Sequence, residues 1–561
     1  MTRACRPRRL GASLALLGLG TCACAWLGGG AGRLEVPGEL GFPVSCDPAR
    51  QQDFDGAVAA LHSFEYQEAR ARFAAVAERD PGCAMAFWGL AMTEYHPLWE
   101  PPTRRELRRG RAALATARSL PASDRERLWI EALGAFYDGA DEVGHRERAV
   151  RHEEGMAHLH RQHPDDREAQ VFYALALLAN ADPADASYAV PRQSGALLEP
   201  LFAEMPRHPG VVHYLIQSYD HPPLAGRALA AAQRYLELAD SMPHALHVSG
   251  HIFTRLGLWE EAIEANARSA EAARARGRRL GAGTEALRSE VHALDYLVYA
   301  QLQRGEDEEA ARIAADLESR AGIEWRNGAV AWNAGAIPVR CAVERRDWRQ
   351  AAVLPALRRA ERAGSESGTR AAVVLRTWAR ALGAARGGDV ARGEIEVADL
   401  ERLAGDVRDS QDAWLRNTSE GLRLQATAWL AQAQGDPVHA LDLMRSAAAL
   451  EDETAEGIGP GRVLPAREQL GDLLLLQGRP GEALAEYRAS LERAARRYRS
   501  LLGAARAALA AGEPRVARAY YEELLELAPA SRRAENDEAR QLAAALQAPG
   551  ARSEPQASGV Q

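Results

Sequence analysis

Near the C-terminus the segments GRPGEALAEYRASL and AGEPRVARAYYEELLELAP repeat one pattern at a fixed interval, with Ala483 and Ala517 34 residues apart and Tyr487 and Tyr521 likewise. A period of that length holds one pair of antiparallel helices, which cannot bury its apolar face alone and must stack on copies of itself. Stacking also answers a problem of size. A chain of 561 residues is too long for one hydrophobic core, so its apolar residues need several domains or an elongated array. Hydrophobic residues make up 47 % and aromatics only 6 %; Ala, Leu, Arg and Glu dominate, all good helix formers. The expected fold class is all-α: an α-solenoid of stacked antiparallel helical hairpins, irregular in its middle.

Around the two repeats, Leu470-Gly471, Gly478, Gly512 and Pro529 fall where a first helix's small residue, a hairpin turn and a second helix's stop belong. The pattern resembles the tetratricopeptide repeat (TPR). The same grammar recurs upstream at Ala69, Phe73, Val76 and Pro81, then at Leu246, Gly250, Phe253, Gly257 and Ala262, and again at Gly305 with Ala310, Trp348 with Ala351, and Gly435 with Ala440. Between Pro97 and Pro209 the repeats degenerate, although Ser123 and Glu126 form a capping box that opens a helix through Phe136. Two arrays are read from these anchors, over residues 45–360 and 370–545, with a disordered tail over 546–561.

Residues 1–32 read as an export signal. Arg3, Arg6, Arg8 and Arg9 precede an apolar run from Leu10 to Leu27, and Gly28 to Gly32 offers small residues for cleavage. Cys22 follows Leu19-Gly20-Thr21, an approximate lipobox, so lipidation at Cys22 is one reading and simple cleavage the other. No later apolar run is long enough to span a bilayer. The expected location is exported: periplasmic, envelope-tethered or secreted. Cys46 and Cys83 then form a disulfide across the first hairpin or remain two unlinked core residues; Cys341 is left as a buried thiol.

Seven of the 15 histidines lie between His208 and His292, a bias that composition does not explain. His244, His247 and His251 stand at i, i+3 and i+7 in PHALHVSGHIFTRLGLW, one face of a helix. Taking Ala262 as the repeat's anchor places them at groove positions of the first helix. The same alignment places His292, Asp295 and Tyr299 in the next unit, His213 and Asp220 in the previous one, and Asn333 and Arg340 in the following one. This polar strip supports two readings. The preferred one is a ligand groove for a peptide or protein partner. The alternative is a metal site for zinc or another divalent ion, formed by His244, His247, His251, His292 and Asp295, in a metal-binding protein or metal-dependent hydrolase.

Other chemistries lack their residues. A net charge of −8 gives no general attraction to nucleic acid, and Arg104, Arg105, Arg108, Arg109 and Arg111 have no interleaved aromatics, so no nucleic-acid partner is expected. His152, His158, His160 and His163 read as a solvated helix face. Phosphate loop, dinucleotide fingerprint, HExxH motif and nucleophile elbow are all missing, and no catalytic residue is assigned. The runs LHSFEYQEARARF, DPGCAMAFWGLAM, HPGVVHYLIQSYDHP and PHALHVSGHIFTRLGLW, followed by HALDYLVYAQLQ, resemble a group of exported bacterial TPR proteins over about Cys46 to Trp348. A histidine is usual in that group where this chain has Gln217. The resemblance implies fold and location but no reaction.

Overall fold

Antiparallel helix pairs build the chain. The computed structural model describes residues 39–547 except 100, 240–241, 281–282, 321–322, 358–359, 361–365 and 455–458. The export segment with Cys22 lies outside the described residues. So does the expected tail from residue 548 onward; Leu546 and Gln547, assigned to it, instead close the last helix.

The first array contains α1 (Gln51–His62), α2 (Tyr66–Arg79), α3 (Ala84–Met92), α4 (Arg104–Ser119), α5 (Asp124–Tyr137), α6 (His145–Gln162), α7 (Arg167–Leu178) and α8 (Ala189–Glu204). It continues with α9 (Pro209–Tyr219), α10 (Leu229–Leu238), α11 (Pro243–Leu256), α12 (Trp259–Leu280), α13 (Thr284–Gln303), α14 (Asp307–Ser319), α15 (Gly328–Glu344) and α16 (Trp348–Ala352). Further helices follow from Ser367–Arg386 to Ala534–Gln547, and the described residues contain no strand. None of the described helices is long and apolar enough to cross a membrane.

Local rules set many of these ends. The Ser123 hydroxyl accepts from the Glu126 N–H while the Glu126 carboxylate accepts from the Ser123 N–H at 2.8 Å, so α5 starts in the expected capping box; Thr103 and Glu106 do the same for α4. Cys46 and Cys83 are joined, with Cα atoms 4.7 Å apart, and Cys341 is buried.

The first helices of successive pairs, α7, α9, α11, α13 and α15, pack side by side. This layer carries the histidine strip. The second array folds back onto it: Trp259 Nε1 donates to the Arg496 carbonyl at 3.0 Å, Tyr498 N–H donates to Gln303 at 3.0 Å, and the Arg533 guanidinium pairs with Asp307. Arg497 is fully buried between Glu468 and Glu344, at 2.7 and 2.6 Å. A buried arginine costs heavily unless both its charge and its donors are satisfied, and here two carboxylates supply that. These contacts cover a face that the sequence leaves bare.

Candidate functional site

Helix α11 begins with Pro243 in its first turn and stops at Gly257, whose φ of 66° is left-handed. Leu258 N–H returns to the Phe253 carbonyl at 2.8 Å, the bond that closes a helix over such a glycine. Between these caps His247 and His251 lie one turn apart, and their Nε2 atoms are 2.9 Å from each other. His292 on α13 completes the group: each of the three rings offers a nitrogen, all within 4.8 Å of one another.

The far side of each ring is held. Asn266 on α12 donates its amide to the Ala262 carbonyl at 2.8 Å, which leaves its oxygen to accept from His247 Nδ1 at 2.8 Å. Asn333 on α15 repeats the device, donating to the Ala329 carbonyl at 2.8 Å and accepting from His292 Nδ1 at 3.3 Å. His251 Nδ1 donates to Asp220 at 2.7 Å, and Arg255 holds the other carboxylate oxygen at 2.9 Å. Burial alone would raise the Asp220 pKa, but Arg255 and His251 hold it well below the carboxylate range. Gly250, between the two α11 histidines, admits Asn266: a Cβ there would stand 2.5 Å from its amide nitrogen. The Tyr296 ring stacks on His251 at 4.9 Å and meets the His247 ring edge-on at 4.7 Å.

Burial and the neighbouring His292 and His251 rings push the His247 pKa far below that of free histidine. Burial likewise brings His292 down to about 3. Both rings are therefore neutral near pH 7, the form that offers a lone pair.

The rest of the strip divides differently from the sequence reading. Asp295 is not part of the histidine group: it is buried with Arg340 at 2.7 Å, and that salt bridge offsets part of the rise that burial imposes on its pKa. His244 is also separate. Its ring packs against Phe64, Trp99 and His213 at 5.6, 5.6 and 5.2 Å, and burial pushes its pKa well below the usual value. His213 donates from Nδ1 to the His62 carbonyl at 2.6 Å and accepts at Nε2 from the Gln217 amide at 3.1 Å, so both nitrogens of this buried ring are bonded within the chain. Tyr299 lies beneath Arg497, whose guanidinium donates to its hydroxyl at 3.3 Å. His152, read as solvated, is buried and bonds the Ala132 carbonyl at 3.0 Å, whereas His158 is exposed.

The groove is occupied by the chain itself. Tyr296 OH donates to the Gly459 carbonyl at 3.0 Å, and Arg340 donates to the carbonyls of Gly461 and Arg462 at 3.0 and 3.4 Å. Gly459 has φ 136°, and a Cβ on it would stand 3.3 Å from Asp295. Asp295, Tyr299 and Arg340, expected to face a partner, are consequently almost fully buried. Two clefts flank this segment. One is lined by Trp332, Leu375, Trp414, Leu422, Val463 and Leu464. The other is lined by Thr254, Arg255, Tyr299, Pro460, Arg462 and Arg493.

A second cluster was not read from the sequence. Glu168 on α7 lies between His62 and His208, its two oxygens 3.0 and 2.7 Å from their Nε2 atoms. His208 Nδ1 accepts from Val211 N–H at 3.2 Å, and His62 Nδ1 meets Tyr214 OH at 2.9 Å. All four ring nitrogens are spent.

Stacked antiparallel hairpins with their first helices aligned define a tetratricopeptide-like α-solenoid. No family model and no curated protein matches the sequence. Among solved structures, the chain is similar to the yeast Tom70 crystal structure, at 12 % identity over 88 % of this chain and 95 % of that one, with a TM-score of 0.33. A human IFIT1 dimer with m7Gppp-AAAA is similar at 12 % identity over 83 % and 94 %, with a TM-score of 0.34. The APC/C hetero-tetramer Cut9-Hcn1 is similar at 13 % identity over 88 % and 95 %, with a TM-score of 0.22.

Proposed function

We propose that this protein is an exported helical-repeat scaffold that binds an extended segment of a peptide or protein partner in the groove of its first array. The observation that carries this reading is the Gly459–Arg462 segment, three of whose carbonyls are already held there by Tyr296 and Arg340. Backbone carbonyls are common to all peptides, so a face that holds them in this chain offers the same donors to another. The clefts beside the segment are where the partner's side chains enter. Trp332 and Trp414, edge to face at 5.3 Å, form an aromatic wall suited to an apolar anchor residue.

The Cys46–Cys83 linkage supports an oxidising compartment, as does the basic and apolar leader. A lipid anchor at Cys22 is tested by Cys22→Ser, which on that reading releases the protein from membranes.

A photo-crosslinking amino acid at position 414 of the full chain in its native compartment tests the scaffold. The expected result is a discrete adduct, lost in Trp332→Ala and absent when the crosslinker replaces Ile395, which is 70 % exposed on the helix Val390–Gly405, none of whose residues lines either cleft. Equal labelling at both positions would remove the proposal.

A further inference from the structure

We infer that His247, His251 and His292 bind one divalent transition metal of the zinc class through their Nε2 atoms, leaving a fourth coordination position open. The argument is one of protons. Asn266, Asp220 and Asn333 each present an oxygen to a ring Nδ1, and neither amide can be turned around, because its nitrogen already donates to a carbonyl of its own helix. Nδ1 therefore carries a proton in all three rings, and Nε2 is the nitrogen that faces the centre.

The Nε2 atoms of His247 and His251 face each other at 2.9 Å, a pair that a proton or a metal ion can join. Three imidazoles with oxygen acceptors behind them are the donor set that zinc, cobalt and nickel prefer over magnesium or calcium. Four-coordinate binding at about 2.0–2.1 Å sets two nitrogens roughly 3.3 Å apart, so His247 and His251 need separate by only a few tenths of an ångström. His251 and Asp220 are about one-fifth exposed, which gives the ion a route in.

The other histidine clusters fail the same accounting. His62 and His208 donate to Glu168 and accept on their remaining nitrogens, and His213 is closed by Gln217. Asp295, held by Arg340, provides no carboxylate, so the centre has neutral ligands alone. Three protein ligands with a vacant position are the arrangement of zinc centres that bind a further ligand, rather than of those that merely hold a fold.

The inference is independent of the partner groove and has its own test. Full-length protein carrying no affinity tag is stripped with chelator and titrated with Co²⁺ followed by visible absorption, and with Zn²⁺ in competition with a chromophoric chelator. One ion per chain is expected, with the intense absorption of a four-coordinate Co²⁺ site. His251→Ala and His292→Ala are each expected to abolish it with far-ultraviolet dichroism unchanged. Asp220→Asn retains all three ligands and is expected to weaken zinc 10- to 100-fold, the usual effect of losing an outer-sphere carboxylate. Folded wild-type protein that takes up no Co²⁺ or Zn²⁺ at micromolar concentration overturns the inference, as does undiminished stoichiometry in His251→Ala. Should either histidine variant unfold, Asp220→Asn decides: wild-type affinity there overturns the assignment.

Discussion

Two histidine clusters lie a few helices apart in the same array and are built to opposite ends. At Glu168 the carboxylate is in the middle and the imidazoles surround it, so every lone pair and proton is used inside the protein. At His251 the carboxylate and two amides are outside and the imidazoles face inward, so three ring nitrogens converge. The residue types are nearly the same. Reversing which group occupies the centre converts a structural pin into a candidate ligand site, and composition alone cannot distinguish the two.

The comparison yields a ranked set of expectations. Removing the central charge of the closed cluster has the largest effect: Glu168→Ala leaves two buried imidazoles without their acceptor and should destabilise the fold by about 3–5 kcal/mol in denaturant titration. A loss below about 1 kcal/mol would mean that the cluster is not a pin. Zinc at 100 times its Kd should raise wild-type stability by about 2.7 kcal/mol and leave His251→Ala unchanged. Gly250→Ala, which drives a methyl group against Asn266, should cost about 1–3 kcal/mol and weaken zinc at the same time. If stability falls while zinc affinity is untouched, Asn266 does not position His247. Smallest is His251→Ala in the metal-free protein, under about 1 kcal/mol, because that ring is partly exposed.

Acid offers a further test of the closed cluster. Despite burial, which alone would raise it, the Glu168 pKa is held below the carboxylate range by His208 and His62, and burial lowers that of His62. A depressed carboxyl pKa stabilises the fold above the unfolded value, about 4.3, and that contribution disappears as pH falls through the folded value. A histidine kept neutral in the fold acts in the same direction, since the unfolded chain takes up its proton below about pH 6.5. Stability should therefore decline from about pH 6.5 downward, with the Glu168 share lost only below about pH 4. Glu168→Gln should then differ from wild type less at pH 3 than at pH 7, as measured by urea midpoints.

The sequence made the fold legible because a 34-residue period with small and aromatic residues at fixed places has one physical solution. It also placed His247, His251 and His292 on one face, since helical spacing and repeat register are both local. Asn266 was not found, because it stands on the second helix of its pair and its role depends on the absence of a side chain at Gly250. Asp295 and Arg340 were assigned to the groove by register, but their cover comes from Gly459–Arg462, more than a hundred residues downstream and without periodicity to announce it. The Glu168 cluster joins α1, α7 and the start of α9, and no spacing rule connects residues so far apart.

The seal over Tyr299 has a consequence in time. Its hydroxyl meets Arg497, 198 residues later. At about 5–20 residues per second, a ribosome finishes the histidine helices roughly 10–40 s before the arginine that closes over them. Throughout that interval the groove is open to whatever is near, and the chain's own Gly459–Leu464 segment must arrive in competition with it. The order of synthesis thus offers the first array to outside ligands before the protein can occupy it from within.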